Sequence, residues 1–234
     1  MRTETISDAT LYLGDCRGVL PTLGRVDAVV TDPPYGIGFE YASYQDTRDN
    51  LAGLIRSVMA PLIETGARVC VTPGQTQVAL YPPSDWICSI IWDTTGSFGH
   101  CGYSQWMPLL VYGKDVPGFG RNRSGVLKSD VIRFTGGAGV GFQREGRNDH
   151  PCPKPENVMQ AIISRFTDEG ETILDPFMGS GTTGVACARL GRKFIGIEME
   201  PRYFDIACRR IEAEYKQPRL FTEAAPKVKQ EAFL

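Results

Sequence analysis

One stretch of the chain, residues 171–198, limits the possible folds most strongly. An apolar run at 171–174 leads into Asp175 and a glycine-rich turn at 177–181, and apolar or small residues then recur at helical spacing. Gly191 predicts a left-handed end to this helix, and a second strand follows that ends at Glu198. This order is typical of an open α/β sheet. In such a sheet a nucleotide-like ligand lies against bare backbone at a helix N-terminus, and the acid at the next strand end holds a ribose diol.

A second informative segment, Thr31-Asp32-Pro33-Pro34-Tyr35-Gly36, follows an apolar run at residues 27–31. The run predicts a buried parallel strand, whose carboxyl end brings Asp32 to the crevice where open α/β sheets bind ligands. Pro33 and Pro34 fix φ and remove two N–H donors, so the loop presents carbonyl oxygens in a rigid frame. A carboxylate and a carbonyl suit an exocyclic amino group on a flat base, and the Tyr35 ring allows stacking. A plain rigid turn after a strand is the alternative.

Together, these segments resemble the motifs of S-adenosylmethionine-dependent DNA amino-methyltransferases, the group that methylates adenine N6 or cytosine N4. In that family Asp-Pro-Pro-Tyr is the catalytic motif, and Phe-x-Gly-x-Gly, here residues 177–181, binds the cofactor. His150-Pro151-Cys152-Pro153-Lys154-Pro155 is similar to the family's His-Pro-x-x-Lys-Pro element, and Gly14-Asp15 is similar to its Gly-Asp element. Because the catalytic motif comes first, the order resembles the circularly permuted β group. The resemblance spans about residues 10–213.

The resemblance implies S-adenosylmethionine as the cofactor, no metal, and two sets of site residues. The catalytic set is Asp32, Pro33, Pro34 and Tyr35. The cofactor-binding set is Asp15, Asp32, Lys154, Asp175, Phe177, Gly179, Ser180, Gly181, Thr182 and Glu198. Simpler roles stay open for three of them: Asp15 as the cap of a short helix, Lys154 as a solvated side chain and Glu198 as a surface acid.

The implied function is site-specific transfer of a methyl group from S-adenosylmethionine to N6 of adenine in DNA, with the target base flipped out of the duplex. Asp32 and the Pro33 carbonyl then polarise the amino group. An aspartate at the head of the motif is similar to adenine enzymes, whereas cytosine N4 enzymes of this group more often carry serine there. Cytosine N4 methylation is the alternative, and a catalytically silent DNA-binding protein with the same fold is a further one.

Residues 114–148 form a basic stretch in a chain whose formal net charge is −2. They carry seven basic side chains against three acids, with many glycines and little amphipathic periodicity. We expect a small, mobile insertion between the last sheet strand and the His-Pro element, where the family recognises its target; a solvated loop is the alternative. The residues expected to bind DNA are Arg121, Arg123, Lys128, Arg133, Arg144 and Arg147.

The remaining periodicity completes the expected architecture. Strands are predicted at residues 67–72, 86–92 and 107–112, and helices at 47–64 and 156–167. The fold class is α/β, a Rossmann-like S-adenosylmethionine-dependent methyltransferase fold with a mostly parallel twisted sheet and helices on both faces. The chain divides into a catalytic half (1–113), the basic insertion (114–148), a cofactor-binding half (149–215) and a C-terminal tail (216–234). Residues 36–50, with three aromatic side chains, predict either a mobile loop over the flipped nucleotide or a core-facing segment.

The expected partner is double-stranded DNA. The sequence has no apolar run of about 18 residues and no signal-peptide character, so it predicts no membrane contact. The resemblance implies a cytoplasmic, prokaryotic or phage-encoded, nucleoid-associated protein. Seven cysteines without a Cys-x-x-Cys pair predict reduced thiols and no metal site. The short insertion allows a homodimer. Gln217 to Phe221 resembles peptides that dock on the bacterial sliding clamp, although docking of the tail on its own core explains the same residues.

Overall fold

A computed structural model describes residues 1–92, 97–99, 102–113, 129–134 and 154–217. Within these ranges the strands are Arg2–Ile6 (β1), Ala9–Leu13 (β2), Ala28–Thr31 (β3), Arg68–Val71 (β4), Trp86–Trp92 (β5), Ser97–Gly99 (β6), Gly102–Ser104 (β7), Trp106–Tyr112 (β8), Val131–Phe134 (β9), Thr172–Asp175 (β10) and Lys193–Glu198 (β11). The α-helices are Cys16–Val19 (α1), Arg48–Glu64 (α2), Glu156–Phe166 (α3), Thr182–Leu190 (α4) and Pro201–Lys216 (α5), and short 3-10 helices lie at Leu20–Thr22 and Gln75–Leu80.

Nine of these strands form one sheet in the order β1-β2-β11-β10-β3-β4-β8-β5-β9. The neighbouring pairs β2–β11, β11–β10, β10–β3 and β3–β4 are parallel, and so is the pair β5–β9. The β1–β2, β4–β8 and β8–β5 pairs are antiparallel. The expected mostly parallel sheet is therefore confirmed, with an antiparallel hairpin at one edge that the sequence did not predict.

The two sequence motifs meet because β3 and β10 are neighbours in this sheet. Ile173 pairs with Ala28 and Leu174 with Val29, in parallel register. From this junction the sheet order runs through β10 and β11 in one direction and through β3 and β4 in the other. The order in which successive strands are added to the sheet thus reverses between β10 and β3, which is where open α/β sheets form their ligand crevice. Asp32 and Asp175 are brought to the same edge, as predicted.

Helices cover both faces of the sheet, which confirms the expected layers. Successive strand residues point to opposite faces, so Val30 packs in the core under α3, α4 and α5, whereas Val29 packs against α1 and α2. Tight contact sets the position of α4: a Cβ atom on Gly184 would overlap the side chains of Phe194 and Ile211. The helix that follows the glycine-rich turn therefore lies directly on β11 and α5.

The local predictions agree with the structure to within one or two residues at each element. Thr47 caps α2 by accepting from the Asn50 amide at 3.2 Å, and Gly191 ends α4 with φ of 72°, as predicted. The expectation that the last sheet strand precedes residue 114 was wrong, because β9 lies inside the proposed insertion and extends the main sheet by pairing with β5. The proposed domain boundaries stay predictions.

Several predicted residues lie outside the described ranges. They are Arg121, Arg123, Lys128, Arg144, Arg147, the His150–Pro153 part of the His-Pro element, and the tail from residue 218. Arg133 lies on β9 and is exposed. The cysteines that the structure describes are all free, and four of the five are buried. Within the same part of the chain, every helix is too short or too polar to cross a membrane.

Candidate active site

A cavity of about 530 Å³ opens at the carboxyl ends of the central parallel strands. Its walls come from the loops after β2, β3, β10 and β11, together with Lys154 and residues of the loop between β3 and α2. This volume lies within the range of small-molecule sites. Of the predicted catalytic and cofactor-binding residues, every one lines the cavity except Gly181. Gly181 instead lies against α5, where a Cβ atom would come within 2.9 Å of Ala207 Cβ.

The Asp32 carboxylate, in the loop directly after β3, is held through one of its oxygens. Thr72 Oγ1, at the end of neighbouring β4, donates to Asp32 Oδ1 at 2.6 Å. Tyr35 Oη donates to the same oxygen at 2.6 Å. Lys154 Nζ lies 3.2 Å from it. Two hydroxyl groups and an ammonium group thus converge on Oδ1 at the wall of the cavity.

Lys154 reaches this cluster from the residue just before the Pro155 cap of α3. Its ammonium lies 2.5 Å from Tyr35 Oη and 5.0 Å from the centre of the Tyr35 ring. Because the hydroxyl is much the nearer of the two, the contact is a hydrogen bond along the ring edge and not a cation–π interaction. The Lys154 side chain is only 15% exposed, so its interpretation as a solvated lysine was wrong.

Asp175 lies at the end of β10 and is buried. Its carboxylate accepts from Thr31 Oγ1 and Thr183 Oγ1, each at 2.6 Å, and from the Phe177 amide at 3.0 Å. Burial raises the pKa of this carboxyl from its ordinary value to about 6, and the hydrogen bonds oppose the shift. Since its own chain occupies both oxygens, Asp175 connects β3, the glycine-rich turn and the first turn of α4.

Glu198, at the end of β11, is half-buried and faces the glycine-rich turn. It accepts from the Gly179 amide at 2.9 Å and from the Glu200 amide at 2.8 Å, through different oxygens. Burial raises the pKa of Glu198 to about 7. A backbone hydrogen bond from Met199 also contributes, and the carboxylate oxygens keep further acceptor capacity towards the cavity. Its interpretation as a free surface acid was therefore wrong.

Asp15 follows β2 and caps α1, as the simpler interpretation expected. It accepts from the Arg17 amide at 2.9 Å, and the Arg17 guanidinium binds both of its carboxylate oxygens. The hydrogen bond from Arg17 lowers the pKa of Asp15 below its ordinary value. Asp15 also lines the cavity, so the cap leaves it at the edge of the site.

A family model described as DNA methylase, of the N6/N4 type, matches residues 88–209. The match covers more than half of the chain. The chain belongs to this DNA methylase family. The matched span includes the glycine-rich turn and Glu198, whereas the segment from Asp32 to Tyr35 precedes it.

Two curated relatives match this chain over short segments. The chain is 58% identical over 65 residues to the type II methyltransferase M2.DpnII of Streptococcus pneumoniae, a match that covers 28% of this chain and 24% of that protein. It is 56% identical over 62 residues to the type II methyltransferase M2.LlaDCHI of Lactococcus lactis subsp. cremoris, which covers 26% and 23%. The matches thus span about a quarter of the length of these relatives.

Solved structures resemble this chain over most of its length. The M1.HpyAVI–SAM complex has a TM-score of 0.65 at 24% identity, and the alignment covers 87% of this chain and 98% of that one. PvuII DNA methyltransferase, described as cytosine-N4-specific, has a TM-score of 0.66 at 16% identity, with 88% and 87% covered. At such identities the likeness shows the fold, and it confirms the predicted methyltransferase architecture.

Three residues of the site were not predicted from the sequence. The first is Thr72, described above. The second is Arg210 of α5, which donates through Nη1 to the Ser180 carbonyl at 2.9 Å and to Ser180 Oγ at 3.1 Å. Its Nη2 donates to Glu156 at the start of α3, 3.0 Å away. Arg210 thus joins the glycine-rich turn to the helix that follows Lys154.

Asp46 is the third such residue, and it organises the loop between β3 and α2. Its buried carboxylate accepts from the amides of Gly36, Ile37 and Phe39 at 2.6, 3.1 and 3.1 Å. Farther along the loop, Ser43 Oγ donates to Glu200 at 2.8 Å. The aromatic side chains of the loop are half-buried and line the cavity. The loop therefore forms part of the cavity wall, and its mobility and its closure over a flipped nucleotide stay predictions.

Proposed function

We propose that this DNA methylase transfers a methyl group from S-adenosylmethionine to the exocyclic amino group of a base in DNA, and that the base is adenine. One observation carries the proposal: the Asp32 carboxylate and the glycine-rich turn form walls of the same cavity. An acceptor for an amino group therefore stands beside a turn suited to a nucleotide-like ligand. Membership of the DNA methylase family supports both halves of this interpretation.

The residues around the glycine-rich turn fit S-adenosylmethionine. Glu198 has acceptor capacity for a ribose diol, and the backbone from Phe177 to Thr182 lets a ligand approach closely. When bound, the cofactor supplies a methyl group on a positively charged sulfonium. Asp15 and Phe177 complete the wall on this side of the cavity.

Catalysis in this proposal rests on acceptance of hydrogen bonds and on positioning. Asp32 and the Pro33 carbonyl accept the two amino hydrogens of the target base, which favours a pyramidal nitrogen whose lone pair can attack. The base is flipped at a cost of about a few kcal/mol and stacks on Tyr35. Gly74 lies beside this ring, since a Cβ atom there would be 3.7 Å from Tyr35 Cγ. The proton leaves afterwards, to Asp32 or to water.

Adenine is favoured over cytosine by the aspartate at position 32. The fold itself gives no preference, because a structure described as cytosine-N4-specific resembles this chain as closely as M1.HpyAVI does. Cytosine N4 thus stays the second candidate for the target atom. Both bases present an amino group next to a ring nitrogen, so one pocket geometry serves either.

The DNA itself is proposed to lie against the basic segment that contains Arg121, Arg123, Lys128, Arg133, Arg144 and Arg147. Arg133 is exposed on the edge strand β9, which is consistent with a contact to phosphate. The homodimer, the contact of residues 217–221 with a sliding clamp and the association with the nucleoid stay predictions.

The decisive experiment incubates the purified protein with unmethylated DNA and S-adenosylmethionine and identifies modified nucleosides by mass spectrometry. N6-methyladenine would establish the proposal, and N4-methylcytosine would change only the base. Asp32→Ala should abolish product while calorimetry shows nearly unchanged cofactor binding. The matched control is Asp168→Ala, at an exposed position outside the cavity, which should retain full activity. If the wild-type protein binds the cofactor and leaves DNA unmodified, the proposal fails.

A further inference from the structure

The Asp32 carboxylate is held asymmetrically. Thr72 Oγ1, Tyr35 Oη and Lys154 Nζ all approach Oδ1, whereas no residue in the described part of the chain donates a hydrogen bond to Oδ2. A carboxylate rotates about a single bond, so donors that hold one oxygen also fix the direction of the other. The arrangement thus orients Oδ2 without occupying it.

We propose that Thr72, the Tyr35 hydroxyl and Lys154 act as positioning residues, which hold Asp32 by Oδ1 and reserve Oδ2 for an amino hydrogen of the target base. The inference rests on the proposed function. It assigns the hydroxyl of Tyr35 a task separate from that of its ring, and it gives Thr72, which belongs to no motif, a part in catalysis.

Thr72 tests this inference most directly because it reaches the cavity only through Asp32. Its side chain is buried, and it does not line the cavity. Its backbone amide also donates to the Thr31 carbonyl at 3.2 Å, which fixes the end of β4 beside the end of β3. The hydroxyl also lies 3.4 Å from the Thr31 carbonyl, against 2.6 Å from Asp32 Oδ1. It is therefore presented from a rigid position, and we expect its loss to leave the backbone pairing of the two strands in place.

The negative charge of the Asp32 carboxylate explains why three donors are needed to hold its Oδ1. A carboxylate at the wall of a cavity would otherwise rotate to satisfy both of its oxygens with the nearest donors. The ammonium of Lys154 and two hydroxyl groups stabilise the charge at Oδ1, so Oδ2 keeps its capacity to accept. A hydrogen bond to a charged partner is strong enough for its loss to change a rate by about 10- to 100-fold.

The test uses variants that remove a hydroxyl group and keep the shape of the side chain. Thr72→Val keeps the shape and removes the hydroxyl, and we expect kcat to fall about 10- to 100-fold, with KM for DNA and Kd for S-adenosylmethionine nearly unchanged. Thr72→Ser restores the hydroxyl and should recover most of kcat. Tyr35→Phe keeps the ring and should also lower kcat more than it raises KM. The control is Tyr112→Phe, whose hydroxyl donates to the Pro82 carbonyl outside the cavity.

The outcomes separate this inference from the proposed function. If the wild type methylates DNA and Thr72→Val keeps full kcat, the inference is overturned while the function stands. A loss confined to KM or to cofactor binding would overturn it as well. If the wild type proves inactive, crystal structures of wild type and Thr72→Val still decide it: a rotated Asp32 carboxylate in the variant supports the inference, and an unchanged one overturns it.

Discussion

The Gly179 amide donates to the Glu198 carboxylate at 2.9 Å, which joins the glycine-rich turn to the end of β11. Gly179 has a φ of 52°, a backbone conformation that places its amide towards β11 and that other residues adopt at a cost. The same carboxylate is held by the Glu200 amide. The two segments that flank α4 in the sequence thus contact each other at the wall of the cavity.

The stability of the ligand-free protein should fall as the pH rises from about 5 to 8. Burial raises the pKa of Glu198 from 4.5 to about 7 and that of Asp175 from 3.8 to about 6. The folded state therefore holds protons that the unfolded state has lost, and this stabilisation is complete only below the unfolded pKa values. We expect Glu198→Gln to reduce the loss between pH 5 and pH 8 by about 1–2 kcal/mol, measured by urea unfolding. An unchanged pH slope in this variant would contradict the assignment.

Gly181→Ala should destabilise the protein more than Gly170→Ala does. Both glycines have φ of 83°, so alanine costs about 1–2 kcal/mol at either position from backbone conformation. At Gly181 the new Cβ would also come within 2.9 Å of Ala207 Cβ, whereas at Gly170 it meets nothing within 4 Å. The crowded site should add about 1–3 kcal/mol. Urea unfolding of the two variants measures the difference, and equal losses would show that α5 moves aside at no cost.

Asp46→Ala should release the loop over the cavity. The change removes the acceptor of three backbone amides, those of Gly36, Ile37 and Phe39. We expect their hydrogen exchange to become at least about 10-fold faster, since an unpaired amide costs about 1–3 kcal/mol, and KM for DNA to rise. Ser43→Ala, which removes only the exposed bond to Glu200, should have a much smaller effect. Similar exchange rates in both variants would mean that the loop is held by its aromatic side chains.

Arg210→Met should weaken cofactor binding, although Arg210 does not line the cavity. Its guanidinium holds the Ser180 carbonyl of the glycine-rich turn and Glu156 of α3, so its loss loosens both walls. Removal of hydrogen bonds from a charged donor predicts a rise of about 10-fold or more in Kd for S-adenosylmethionine, measured by calorimetry. The neighbouring exposed Arg209 provides the control; equal effects of Arg209→Met and Arg210→Met would contradict this role.

Local backbone requirements explain why much of the site was predictable. The turn at 177–181, the helix end at Gly191 and the rigid Asp-Pro-Pro-Tyr loop each depend on residues close together in the sequence. The edge of the sheet at which the site lies could also be predicted, because parallel strands align their carboxyl ends. Strand β9 was missed since a run of four residues within a glycine-rich, basic stretch is too short to show a period.

The sequence by itself determined the α/β class, the two motifs, their order and a part of the residues that line the cavity. Only the tertiary structure decided which groups hold those residues in place. Thr72 reaches Asp32 across 40 positions of the chain, and Arg210 reaches Ser180 across 30. Neither partner has a pattern of its own, because a single threonine or arginine is common on strands and helices. Their roles arise from strand and helix neighbours that are chosen by packing of the whole sheet, and local sequence does not encode that choice.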